Sequence, residues 1–407
     1  MTAGLLAEAR GGHGNGQSHG DPIAAMDQHV VFQKNIAKAE IARQLGVSRS
    51  FVVAWTKRPG QAVQEDHRGW PTGKSRRYSP VVAKRIVALH DALREQPGAF
   101  FTGATAVHHA WRTRYPAMTV PSLRFIGRTL SRHGRTNAHQ PPRRGAARYL
   151  CYPAATLARL GTSRLEVDFI GRKFLQGQTA PVHFLAYSLQ GERKLKYFQR
   201  VEAETATVTI AGCHAFFTRF ERPDVVKLDN GFGFAASSPW PHTLSAVPLW
   251  LLGQGVIPVF TAPRRPWNQA SVEGSNSVFA RKFWRRFRFR SPQEVDPRLR
   301  QFNRAYQRYL GYVRPPPQRP TKMTRPVVYF IRKVSESSRG REGVIDLVKD
   351  QVRIPAAYIN LFVLAKWDLV RGQLTILFER PPAKAVVIHA QSFPLHPTTK
   401  AKLSEFI

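Results

Sequence analysis

Arg164-Leu165-Glu166-Val167-Asp168-Phe169-Ile170-Gly171 is a short strand-like run in which the carboxylate of Asp168 stands between apolar neighbours. An ionised group there costs free energy unless it is partnered or used, so Asp168 calls for a reason. Working outward, His183 to Gly191 and Lys196 to Val201 read as further strands, and Glu204 to Phe220 as a helix. Asp224-Val-Val-Lys-Leu-Asp229-Asn230-Gly231 then reads as a buried strand ending on an Asp-Asn-Gly turn, with Asp229 at its tip.

Beyond that turn negative charge almost vanishes, since Glu273 is the single acidic residue from Asn230 through Gln293. It lies in Pro266-Trp-Asn-Gln-Ala-Ser-Val-Glu273-Gly-Ser-Asn276, where a proline precedes a helix and the glutamate occupies an early turn. A lone acid in a basic helix can be an ion-pair partner. Two other carboxylates in strand contexts point instead to a convergent acidic set. Hard divalent cations prefer oxygen ligands, and a pair of them held roughly 3.5–4 Å apart would explain acids inside so basic a chain.

The basicity is large: 62 Lys and Arg stand against 26 Asp and Glu among 407 residues, a formal charge of +36. A polyanion is the natural partner of such a chain. The segment from Gln96 to Leu165 carries eleven arginines and no acid, with Phe100, Phe101, Trp111 and Tyr115 interleaved, which suggests a folded basic face. No run of about 18 apolar residues would span a bilayer, and no apolar signal core stands near the N-terminus. The expectation is a soluble, cytoplasmic protein with no membrane partner. Cys151 and Cys213 are too few for a disulfide framework and too far apart for a zinc knuckle.

The pattern resembles the DDE transposases of bacterial insertion sequences, with a retroviral-integrase-type, RNase H-like catalytic core. The residues that carry the resemblance are Val167-Asp168, Leu228-Asp229-Asn230-Gly231 and Pro-x-x-Gln-Ala-x-x-Glu-x-x-Asn from Pro266 to Asn276. The resemblance implies that Asp168, Asp229 and Glu273 are catalytic and ligate two Mg²⁺ or Mn²⁺ ions. It also implies that Gln269, Asn276, Arg281, Lys282 and Arg285 position DNA. The implied activity is cleavage at element 3′ ends and strand transfer into target double-stranded DNA. That chemistry implies a homo-oligomer in a synaptic complex and a nucleoid-associated bacterial protein. A transposase-derived DNA-binding protein without catalysis is the alternative. Between Asp229 and Glu273 lie 43 residues, and an insertion over Ala235 to Gly255 is expected to add a helix beside the site.

The expected organisation is multidomain α/β. Residues 1–28 read as a disordered leader, and 29–58 as a helix-turn-helix in which Ile41, Ala42 and Leu45 face inward, Gly46 turns and Ser48 caps. Its second helix would present Arg49, Ser50 and Lys57 to the major groove while Trp55 packs inward; a plain helical hairpin shows the same pattern. A basic linker over 59–78 leads to a second helical unit over 79–133. There Pro121 is expected in the first turn of a helix, Leu123, Ile126 and Leu130 form an inner stripe, and Arg124, Arg128 and Arg132 make a row of phosphate contacts. A linker over 134–159 precedes the catalytic core, 160–312, whose last helix runs from about Val295 to Tyr312. Five short strands over 327–394 suggest a small C-terminal β-barrel.

Overall fold

The computed structural model of the chain describes residues 37–56, 78–96, 98–136, 152–231, 234, 240–263, 269–316, 326–338, 340, 342–380 and 384–406. The expected leader, most of both expected linkers, and Lys57, Cys151 and Pro266 lie outside the described residues. The chain divides into two compact units, Met1–Val81 and Val82–Ile407.

In the first unit, helices α1 (Lys38–Leu45) and α2 (Arg49–Thr56) are joined at Gly46. That glycine has φ 65°, a left-handed conformation that side-chain-bearing residues adopt at a cost, and its N–H returns to the last turn of α1. Ser48 Oγ accepts from the N–H of Phe51 at 3.2 Å and so caps α2. Ile41, Ala42 and Val52 are buried between the helices, whereas Arg49 and Ser50 are exposed. The side chains of Leu45 and Trp55 are outside the described set.

The second unit takes in α3 (Pro80–Glu95) from Val82 on, α4 (Ala104–Arg114) and α5 (Leu123–Arg132), packed around Ile86, Val107, Trp111, Ile126 and Leu130. The start of α5 corrects the sequence reading: Ser122, not Pro121, leads the helix. Its hydroxyl accepts from Phe125 N at 3.3 Å, satisfying one of the orphan donors of the first turn. Leu123 stays exposed and Thr129 takes the inward place, because the buried positions of α5 are 126, 129 and 130. Arg124, Arg128 and Arg132 are all exposed. Phe100 and Phe101, expected on a basic face, instead pack on Phe302, Tyr306 and Tyr309.

The short helix α6 (Ala154–Ala158) leads into the sheet strands β1 (Arg164–Phe174), β2 (Pro181–Gln190) and β3 (Leu195–Val201). Then follow α7 (Ala206–Arg219), β4 (Val225–Leu228), α8 (Ala246–Gly253), β5 (Ile257–Phe260), α9 (Ala270–Lys282) and α10 (Pro292–Leu310). The first three strands are antiparallel neighbours, while β1, β4 and β5 run parallel through crossovers. Side chains alternate across β1. Leu165 and Val167 join one core with α7 and α8, and Ile170 joins another with α9 and α10. Helix α8 is the expected insertion helix, but its buried residues lie in the first of these cores, on the sheet face away from Asp168. Asn303 of α10 donates to Phe198 O at 2.7 Å and accepts from Phe198 N at 3.0 Å, which occupies backbone groups on the edge strand β3.

The C-terminal strands differ from the expectation of a separate small barrel. Strand β6 (Val327–Lys333) pairs parallel with β5, and β10 (Phe362–Asp368), β11 (Gln373–Phe378) and β12 (Val386–Ser392) continue outward from it. The result is one nine-stranded sheet in the order β12-β11-β10-β6-β5-β4-β1-β2-β3. Strands β7 (Ser335–Glu336), β8 (Gly343–Leu347) and β9 (Asp350–Ile354) make a second, three-stranded sheet, and α11 (Pro397–Phe406) follows. Strand addition gives backbone groups at the end of β5 partners that a separate barrel would not. Cys213 is a buried free thiol on α7.

Candidate active site

Parallel pairing of β1 with β4 brings Glu166 opposite Lys227. Asp168 and Asp229 are each two residues further along, so the two-residue period of a strand places both on the same face as that pair. Asp168 is in the interior of β1; Asp229 is one residue beyond the end of β4, where the ladder gives way to the turn. The turn is tight: Gly231 N donates to Asp229 Oδ1 at 2.8 Å. A Cβ on residue 231 would come within 2.9 Å of that same oxygen, so a side chain there would push the Asp229 carboxylate out of its present place.

Helix α9 supplies the third acid in its first turn, where the helix dipole favours negative charge. Glu273 and Asn276 are three residues apart and share one helix face. Asn276 Nδ2 donates to Asp168 Oδ2 at 2.9 Å, which turns that face toward β1. Asn276 Oδ1 is buried with no hydrogen-bond partner.

Beneath the first turn of α9 runs a polar row that crosses four strands. Lys227 on β4 pairs in register with Glu166 on β1, Glu166 with Ser188 on β2, and Ser188 with Lys196 on β3. Lys227 Nζ donates to Glu166 Oε1 at 3.1 Å, and Glu166 Oε2 accepts from the backbone N–H of Val272 at 2.9 Å. At the far end Lys196 Nζ donates to Ser188 Oγ and to both the hydroxyl and the carbonyl of Ser271, and the two serine hydroxyls are 2.8 Å apart. The residues on either side of the helix start are thus tied to the sheet, which sets where Glu273 stands. Sequence reasoning passed over Glu166, Ser188 and Lys196. The only available signal was the second acid in the opening strand, two residues before Asp168.

Asp168 feels the charge of both other acids. Burial first, then the neighbouring carboxylate of Asp229 and, more weakly, that of Glu273, push Asp168 up to about 7 against the opposing hydrogen bond from Asn276. Asp229 is also raised, by burial and by Glu204, and Glu273 is raised by burial and by Glu166. Burial and the neighbouring cation Lys194 pull Lys196 down to about 8 against the attraction of Glu166. Among the described residues no Lys, Arg or His forms an ion pair with Asp168, Asp229 or Glu273. The donor set, carboxylate and amide oxygens with uncompensated negative charge, suits a hard divalent cation. Among the described residues, however, no three His, Cys, Asp or Glu side chains are gathered as one metal-holding group.

The other expected site residues divide by exposure. Gln269 precedes α9 and is buried, with its Nε2 unpartnered, whereas Arg281, Lys282 and Arg285 are exposed at the far end of the helix. Partial desolvation of the ammonium, then Arg281 and Arg286, hold Lys282 below its usual range, as in a crowded cationic surface. No helix among the described residues is long and apolar enough to cross a membrane.

No family model and no curated protein matches this chain. Among solved structures it is similar to a chain of a simian T-cell lymphotropic virus intasome in complex with PP2A regulatory subunit B56 gamma. The identity is 13%, the match covers 77% of this chain and 99% of that one, and the TM-score is 0.32. It is also similar to a chain of a pre-cleavage Mos1 transpososome, at 15% identity over 70% of this chain and 92% of that one, with a TM-score of 0.24. Scores this low establish neither a family nor an activity.

Proposed function

We propose that this chain is a DNA transposase or integrase of the DDE type, which binds element ends and carries out metal-dependent 3′-end cleavage and strand transfer. The observation that carries the reading is the placing of Asp168 on β1 and of Asp229 just past the end of neighbouring β4, with the helix of Glu273 pinned above them. These three acids would hold two Mg²⁺ or Mn²⁺ ions. When bound, such ions neutralise the acids, activate a water or a 3′-hydroxyl, and stabilise the leaving oxygen of an in-line displacement.

The chain's own residues do the positioning. Asn276 orients Asp168, the N–H of Gly231 orients Asp229, and Glu166 with Lys196 sets the height of Glu273 over the sheet. Exposed Arg124, Arg128, Arg132, Arg281, Lys282 and Arg285 would contact phosphates, while Arg49 and Ser50 would meet base edges. Joining two ends requires synapsis, so the active form is a homo-oligomer on DNA.

A second reading is a DNA-binding protein without catalysis, which the exposed arginines of α5 would serve equally well. One experiment separates the two. Purified protein is mixed with a labelled duplex carrying the element's end and with Mn²⁺, and nicking and joining to a plasmid are followed beside Glu273→Gln. Metal-dependent joining that Glu273→Gln abolishes, with duplex binding retained, supports the enzyme. Tight binding without nicking supports the second reading.

A further inference from the structure

We propose that the segment after α9 builds a cleft for one unpaired nucleotide, a site separate from the carboxylates; the inference rests on the DNA reading above. The segment Phe283-Trp-Arg-Arg-Phe-Arg-Phe-Arg290 alternates aromatic and basic residues. Phe283 and Phe289 are spent on the core, where they pack against each other with ring centroids 5.3 Å apart. Trp284 and Phe287 are only half-buried, and Arg285, Arg288 and Arg290 are exposed.

The end of β1 closes the other side. Gln176 N donates to Phe289 O at 2.8 Å and Gln178 Nε2 donates to Arg290 O at 3.0 Å, so the two segments are fixed to each other. Between them lies a cleft of about 290 Å³ lined by Phe174, Gln176, Trp284, Phe287, Arg288 and Phe289. Phe174 is 50% exposed, so part of its ring is open to a ligand.

The charge around it is mostly positive. Burial and the adjacent Arg285 hold the Lys173 ammonium below its ordinary value. Among the described residues none of Arg285, Arg288 and Arg290 forms an ion pair. The nearby acid Glu294 accepts from the backbone N–H of Arg290. Cations alone would serve a phosphate backbone, but aromatic faces gain nothing from phosphates. Bases in an intact duplex are stacked on one another and cannot reach such faces. A displaced nucleotide offers both an anion and a π-face, which is the chemistry this cleft presents.

Its place sets a distance. Trp284 follows Glu273 by eleven residues and Phe174 follows Asp168 by six. Helix and strand rises put the cleft about 15 to 20 Å along both elements from the acids. At about 3.4 Å per stacked nucleotide, the unpaired base would be roughly four to six nucleotides from the reacting phosphate.

The test uses the full chain at fixed salt, with a blunt duplex and the same duplex bearing a short single-stranded tail that contains 2-aminopurine. The unmodified protein should bind the tailed duplex more tightly and quench the 2-aminopurine fluorescence. Phe174→Ala should weaken tailed binding about tenfold, equivalent to roughly 1.4 kcal/mol of stacking, and leave blunt binding and the thermal midpoint unchanged. Phe174→Trp should restore it, and Trp284→Phe should retain most of it. Equal affinity for both duplexes, or an equal loss on both in Phe174→Ala, overturns the cleft while leaving the DNA reading intact. Failure to bind either duplex overturns both.

Discussion

Arg332 Nη2, on β6, donates to Asn230 Oδ1 at 3.1 Å, so a strand of the C-terminal region holds the residue that follows Asp229. Asn230 is gripped from both ends, because its Nδ2 donates to Thr261 O at 2.7 Å and Arg332 Nη1 donates to that same carbonyl at 3.1 Å. Burial pulls Arg332 down to about 10, against the pull of Asp346.

Removing this guanidinium should therefore be felt at Asp229. Arg332→Met leaves Asn230 Oδ1 and the Asp346 carbonyl without their donor, each unsatisfied group costing about 1–3 kcal/mol. The expected outcome is a loss of about 2–4 kcal/mol in urea unfolding, together with weakened Mn²⁺ binding read by electron paramagnetic resonance. An unchanged unfolding midpoint would show that the contact is not made in solution.

The Glu166–Lys227 pair has side chains only 8% and 11% exposed. Glu166→Leu should remove the carboxylate partner of Lys227 and free the start of α9, at a cost of about 3–5 kcal/mol. Lys227→Met added to Glu166→Leu should recover part of that loss, giving a coupling energy above about 1 kcal/mol in a double-mutant cycle. Strict additivity of the two changes would sink the pairing.

The raised pKa of Asp168 makes a stability prediction with a definite sign. Its ordinary value is 3.8 and its folded value about 7, so the native state holds a proton that the unfolded chain has released between those pH values. Stability contributed by the protonated form is thus present at low pH and declines as pH rises through that window. In chelator, Asp168→Asn should raise the unfolding free energy at pH 8 and not at pH 4, by at most roughly 4 kcal/mol. A gain of equal size at both pH values would contradict it.

Arg124, Arg128 and Arg132 face solvent on α5. If they contact phosphates, the slope of log K against log salt should become shallower by about 0.9 for each arginine replaced by alanine. Duplex binding whose salt slope is unaltered in the triple variant would remove α5 from the DNA-binding face.

The sequence by itself determined the local elements and the three acids placed upon them. Period-two apolar spacing marked the strand of Asp168, turn chemistry marked the Asp-Asn-Gly tip after β4, and a charge-depleted stretch singled out Glu273 at a helix start. Gly46 and Ser48 located the first helix pair for the same reason: a left-handed turn and a cap act within a few residues. Only the tertiary structure decided the rest. The row from Lys227 through Glu166 and Ser188 to Lys196 exists because three strand registers align, and no local pattern encodes a partner 61 residues away. The same holds for the C-terminal strands, whose periodicity fits a barrel or a sheet equally well. The pairing of β6 with β5 settled the matter, and it brought Arg332 to Asn230.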